Sequence, residues 1–315
     1  MTPVVTVVLP VFAIILSGYA AGRLKLLGQG SSEALNGFVY YVALPVLFFS
    51  SMATVEPTKI FNWGFLGAYG GGQAITFVVG MIAARVFFGG RLAENSIFGM
   101  SSIFGNTGYM GIPLAMVAFG EIGTFPAILA TVFKSSVVIA IVTVLIEADI
   151  RRGDAAGRMA RDVAMALLTN PMVTSAAAGI AWSFTGLGLA APVETFCRIL
   201  GAAAGPCALF AIGLFLVGKP IRKDLGEVGG MVALKLLIHP LVTWWLAFKV
   251  FDLDPLWATV AVVMAALPAG ANCFVIASRY GLYVQRASTA ILLSTVISVA
   301  TVSVLFSLWV PGRLN

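Results

Sequence analysis

Residues Phe104–Leu114 read FGNTGYMGIPL. They sit inside an apolar run, 96–119, long enough to cross a bilayer as one helix of about 20 residues. Yet the stretch carries Gly105, Gly108, Gly111 and Pro113, with the bare amide of Asn106 among them. Proline removes a backbone donor and clashes with the preceding turn. Glycine opens conformations that other residues resist. Hydrocarbon offers an exposed amide no partner, so broken backbone at this depth survives only when buried in protein or lining a wet cavity.

A second break of the same kind occurs in the run 256–278, where Leu267–Asn272 reads LPAGAN. Paired interruptions of this sort point to a binding site near the membrane midplane. A half-helix starting there aims free N–H groups and a partial positive charge inward, which suits an anion. Unwound carbonyls at the end of the other half can hold a cation. Asn106 and Asn272 can donate and accept without burying a charge, and Thr107 and Tyr109 add hydroxyls. Glycines also mark close helix packing, the blander reading of either run alone.

The rest of the chain fits that setting. It has 315 residues, 60% hydrophobic and 10% charged, against about 25% charged in soluble domains. Mean hydropathy is +1.00. This is an all-α polytopic membrane protein, and the net charge of +6 says nothing about nucleic acid, which is not an expected partner. The opening MTPVVTVVLP has no basic leader and reads as the first span, not a cleaved signal. Cys197, Cys207 and Cys273 lie in apolar segments without metal or redox spacing and read as small buried hydrophobes. No metal or cofactor is expected.

Apolar runs fall near 3–22, 34–53, 63–84, 96–119, 125–146, 163–184, 192–217, 229–250, 256–278 and 287–310, predicting ten transmembrane helices. Thirteen of the 19 Lys and Arg residues, from Arg23 and Lys25 to Arg279 and Arg286, follow odd-numbered spans; Lys59, Arg198, Lys249 and Arg313 lie on the other side. The positive-inside rule then places both termini outside the cytoplasm. The longest polar connection, Glu147–Asp162, leaves no room for a soluble catalytic domain.

Five spans precede that connection and five follow it. Shifting the sequence by 161 positions aligns Pro10 with Pro171, Gly18 with Gly179, Glu33 with Glu194, Pro45 with Pro206, Phe49 with Phe210 and Gly120 with Gly281. An odd span count per copy inverts the second copy. The expectation is two inverted five-helix repeats, 1–150 and 163–315, joined by a cytoplasmic linker at 151–162, with broken helices 4 and 9 crossing. Pro45 and Pro206 read as matched kinks, Glu33 and Glu194 as charges at helix N-termini.

NTGYMGIPLAMVAFG with ALPAGANCFVIASRYG, together with VLPVFAIILSGYAAGRL and LNGFVYYVALPVLFF near the start, resembles the auxin efflux carrier family over the whole chain. The resemblance implies a compact bacterial, malonate-transporter-like member with a bile-acid-symporter-type fold. Spans 1, 2, 6 and 7 would form a scaffold and the other spans a moving elevator unit. The family's crossover Asn and Pro map onto Asn106, Pro113 and Pro268. The chain lacks the plant members' long central hydrophilic loop, and because its second break reads PAGAN, Asn272 is not equated with any plant residue. An indole acid as substrate does not follow.

Ionisable groups inside spans are costly and usually face a partner or cavity. Lys134 lies in span 5 and Lys235 in span 8; His239, the only histidine, shares a helix face with Lys235. They read as an anion-attracting or proton-carrying group, or else as a snorkelling lysine and a hydrogen-bonded imidazole. Gln73 either lines the cavity or bridges helices. The candidate substrate-binding set is therefore Asn106, Thr107, Tyr109, Pro113, Pro268, Gly270, Asn272, Lys134, Lys235, His239 and Gln73.

These features predict a secondary transporter of a small organic anion, malonate-like or another weak acid, in the bacterial inner membrane. Alternating access would be of the elevator type. Expected partners are the carboxylate, membrane lipid, a coupled proton and a second copy docked through the scaffold helices. No Walker run supplies ATP drive. An intramembrane enzyme would need Ser–His, paired Asp or zinc ligands; one His and acid-free span cores argue against it. A channel, a membrane sensor and a sodium-coupled symporter are the alternatives, the last weakened by the lack of carboxylates for a sodium site.

Overall fold

The computed structural model describes residues 4–28, 30–55, 62–150, 161, 164–165, 168–218 and 224–308. The expected linker, 151–162, lies outside these apart from Arg161. The described elements are helical: α1 (Leu9–Arg23), α2 (Ser31–Phe38), α3 (Leu44–Ala53), α4 (Trp63–Phe88), α5 (Leu92–Ile103), α6 (Ile112–Ile150), α7 (Pro171–Ser183), α8 (Ala191–Ala202), α9 (Ala204–Leu216), α10 (Leu225–Ala233), α11 (His239–Trp245), α12 (Pro255–Ala266), α13 (Asn272–Tyr280) and α14 (Val284–Leu308). Short π-helical turns join several of them, including Val39–Ala43, Thr107–Gly111 and Leu234–Ile238.

Seven helical segments among the described residues are long and apolar enough to cross a membrane. The longest, Thr107–Ile150, has 44 residues. At about 1.5 Å per residue it would be twice the thickness of the hydrocarbon core. Gly120 divides it, with φ 65° and ψ −153°, a conformation open to glycine and few others. The chain is thus a multi-pass membrane protein.

Local sequence explains the helix starts. Pro171 and Pro255 open α7 and α12, where the missing N–H has no helical partner to lose. Asn170 and Asp254 cap those helices, their Oδ1 atoms accepting from Met172 N and Leu256 N at 3.0 Å. Glu33 and Glu194 lie exposed in the first turns of α2 and α8, where a negative charge favours the helix dipole.

The chain packs as two compact units. Unit one holds Met1–Asn62, Thr107–Val132 and Leu168–Lys219. Within it α1 lies along α9 and α3 along α7. Glycines set both approaches: a Cβ on Gly18 would collide with the Phe210 carbonyl, and one on Gly179 with the Phe49 carbonyl. Unit two holds Trp63–Asn106, Phe133–Leu167 and Pro220–Asn315. There α4 packs on α5 and α11, α11 on α12, and α10 on α14. Arg286 Nε meets Glu227 Oε2 at 2.8 Å and ties α14 to α10.

Candidate functional site

Two helix breaks meet inside unit two. α5 ends at Ile103 and α12 at Ala266, and the extended residues that follow pair as a two-residue antiparallel bridge between Gly105 and Ala269. Gly270 N donates to Phe104 O at 2.8 Å, and Asn106 N donates to Pro268 O at 2.7 Å. Ser294 on α14 closes the remaining gap, its Oγ accepting from Ala269 N at 2.9 Å. Each break thereby supplies the donors and acceptors the other lost, as burial in an apolar medium demands.

Glycine is needed here for approach. A Cβ on Gly270 would stand 3.0 Å from the Gly105 carbonyl oxygen, and one on Gly105 3.2 Å from that of Met264. Pro268 lies between the two half-helices with its carbonyl committed to Asn106. Pro113 behaves differently from a mid-helix proline. It is the second residue of α6, after the π turn Thr107–Gly111, where a missing N–H is tolerated.

Two lysines serve the ends of the half-helices. The last carbonyls of a helix have no partner within it and carry its negative pole. Lys134 Nζ donates to Gly105 O, just past α5, and Lys235 Nζ donates to Ala265 O in the last turn of α12, both at 2.5 Å. Lys134 Nζ also stands 3.9 Å from the Phe104 ring centroid. Both side chains are buried, 2% and 0% exposed, so neither snorkels to an interface. Lys235 Nζ lies 3.2 Å from His239 Nδ1.

Asn106 and Asn272 are half-buried, Ala271 beside Asn272 is exposed, and no hydrogen bond among the described residues engages either asparagine side chain. Asn106 leaves the first break, and Asn272 begins α13. Around the breaks lie two buried lysine side chains and an amide on each break, chemistry that suits a small anion.

Comparison with known proteins gives the family. The profile described as "Membrane transport protein" matches residues 3–306.

The chain belongs to this membrane transport protein family.

A "Putative malonate transporter" of Rhizobium meliloti (strain 1021) is 32% identical, over 100% of this chain and 98% of that protein. Auxin efflux carrier component 5 of Arabidopsis thaliana is 23% identical, over 94% of this chain and 93% of its own length. The lysosomal cholesterol signaling protein of Mus musculus is 24% identical over 91% of this chain, which spans 35% of that protein. The resemblance to auxin efflux carriers read from the two helix breaks therefore holds over nearly the whole transporter.

The eleven candidate residues of the transporter divide between the units. Asn106, Pro268, Gly270, Asn272, Lys134, Lys235, His239 and Gln73 fall in unit two; Thr107, Tyr109 and Pro113 fall in unit one. The bridge and its lysines gather all of the first group except Gln73, which is buried on α4. In unit one, the Tyr109 hydroxyl donates to Asn36 O at 3.4 Å, and Pro113 packs against Gly205. Sequence reading missed Ser294, one hydroxyl in an apolar span with nothing to single it out. It also missed Tyr69, Thr76, Thr243 and Thr259, buried polar residues on α4, α11 and α12.

Proposed function

We propose that this protein is a secondary transporter of a small carboxylate, and that the substrate binds at the crossed breaks in unit two. The observation that carries the reading is the pair of buried lysines at the ends of the two half-helices, beside Asn106 and Asn272. Two ammonium groups there attract a carboxylate, and the free amides can orient it. A malonate-like dicarboxylate is the first candidate, from the name of the Rhizobium relative.

Ten spans in two inverted repeats remain the architecture we infer. Matched positions in unit one support it: Gly18 and Gly179 make equivalent contacts, on Phe210 and Phe49, and each of those four residues is displaced 161 positions from its counterpart. Gly120 and Gly281 both have positive φ, 65° and 67°. The working motion is elevator-type alternating access, with unit two carrying the substrate. The division into units supports this in part: spans 1, 2 and 7 and most of span 6 fall in unit one, which also holds Thr107–Val132 from spans 4 and 5. A bacterial inner membrane, outward-facing termini and a homodimer through unit one complete the proposal.

The lysines bear on coupling as well. In transporters with broken helices, the C-terminal ends of half-helices coordinate the driving cation. Here ammonium groups occupy those ends, which favours uniport or proton-linked movement over sodium symport.

Counterflow of labelled malonate and related carboxylates in proteoliposomes tests the function. The expected result is saturable exchange, accelerated by internal substrate. Flux that neither saturates nor exchanges would replace the carrier with a channel.

A further inference from the structure

Unit two contains buried polar atoms that the crossed breaks do not use. Tyr69 and Gln73 are four residues apart on α4; His239 and Thr243 are four apart on α11. Each pair shares a helix face. The two faces meet: a Cβ on Gly72 would collide with Thr243 Oγ1, and the Tyr69 and His239 rings lie 6.4 Å apart between centroids. All four side chains are buried, at most 2% exposed.

None of Tyr69 Oη, Gln73 Nε2, Gln73 Oε1, Thr243 Oγ1 and His239 Nε2 has a hydrogen-bond partner among the described residues. The Tyr69 phenol lies beside the Gln73 amide, outside bonding geometry. Folded proteins rarely leave such groups unserved, and ordered water that bridges two to four of them is the usual remedy.

The tautomer of the imidazole follows the state of Lys235: a protonated Lys235 has only donors, so in that state Nδ1, 3.2 Å away, accepts and Nε2 carries the ring proton. That N–H is directed away from Lys235, on the unpartnered side of the ring. The titratable groups acting on the imidazole are Lys235 on its own side, Lys134 from α6 and Tyr69 from α4; Cys273 from α13 acts on Lys235.

We propose that the space bounded by Tyr69, Gln73, Thr243 and His239 is hydrated, and that His239 passes protons between this water and Lys235. In one step, the Lys235 Nζ–H bond breaks as Nδ1 gains a proton. The Nε2–H bond breaks as a water oxygen gains one. Lys235 is left neutral, the imidazole is left in its other tautomer, and the proton is on water. Lys235 is then an exchangeable proton store at the end of α12. This deepens the proton-linked reading above, but its test uses no substrate, so its failure leaves the transport reading standing.

His239 is the only histidine, so [15N]histidine labelling of the full chain in lipid nanodiscs reports one imidazole. The expected spectrum shows the Nε2–H tautomer near neutral pH, with a cross-peak from that proton to water. Gln73→Leu with Thr243→Val should abolish the cross-peak and keep the tautomer; Tyr69→Phe is the milder variant if the pair does not fold. An Nδ1–H tautomer, or an Nε2–H that shows no exchange with water in the unmodified protein, overturns the proposal. So does a water cross-peak that persists unchanged in the folded double variant.

Discussion

The backbone of Gly18 rests directly on the carbonyl of Phe210. Gly179, 161 residues after Gly18, rests in the same way on the carbonyl of Phe49, 161 residues before Phe210. Two helix pairs, α1 with α9 and α3 with α7, thus use one contact twice. Neither site has room for a side chain, and overpacking a core costs about 1–3 kcal/mol. Gly18→Val and Gly179→Val should each lower the melting temperature of the purified protein, by similar amounts. A valine at either site that melts like the unmodified chain would remove that contact from the set holding unit one together.

Asn106 offers an amide with no hydrogen-bond partner among the described residues, next to a bond that ties its own backbone N to Pro268 O. Its side chain is therefore spare for the fold and available to substrate. A hydrogen bond to a charged group contributes about 1.5–3 kcal/mol, so Asn106→Ala should weaken carboxylate binding by roughly 10–100-fold. The melting temperature should stay nearly unchanged. Thermal-shift titration with malonate reads both quantities, and undiminished affinity would take Asn106 out of the site.

Lys235 has opposing effects on stability. Its contact satisfies Ala265 O, and an orphaned buried carbonyl costs about 1–3 kcal/mol. Burying an ammonium costs several kcal/mol even after relaxation. The second effect wins, so Lys235→Met should leave the melting temperature unchanged or raise it while abolishing the stabilisation by added carboxylate. A clear fall in melting temperature would show that the carbonyl contact is the dominant role.

Ammonium groups at both half-helix ends leave no need for a metal cation there. Exchange in proteoliposomes should proceed at the same rate when choline replaces sodium on both sides. Strict dependence on sodium would contradict the coupling drawn from Lys134 and Lys235.

Much of this protein is readable from local rules. FGNTGYMGIPL and LPAGAN stand out because glycine and proline are costly in a hydrocarbon-embedded helix. That cost applies wherever the chain folds, so the two breaks and the membrane class follow from residue order. The lysines also stand out, since charge in an apolar span demands a reason. Their partners are another matter. Lys134 reaches a carbonyl 29 residues away and Lys235 one 30 residues away, and nothing in the sequence pairs those positions.

Ser294 shows the limit most plainly. A serine in a membrane helix can satisfy itself on its own backbone, and its hydroxyl does donate to Ile291 O at 3.1 Å. Only the packing of α14 beside the second break makes its oxygen the acceptor for Ala269 N. Tyr69, Gln73 and Thr243 likewise look like ordinary polar residues until two helix faces meet. The sequence by itself determined where the backbone must break and that charge lies inside the membrane, because both follow from the cost of unsatisfied groups in an apolar medium. Tertiary structure alone decided how that cost is met: which carbonyl each ammonium serves, which hydroxyl closes the bridge and which amides stay free. Those pairings join residues distant in the chain, and only packing brings them within bonding distance.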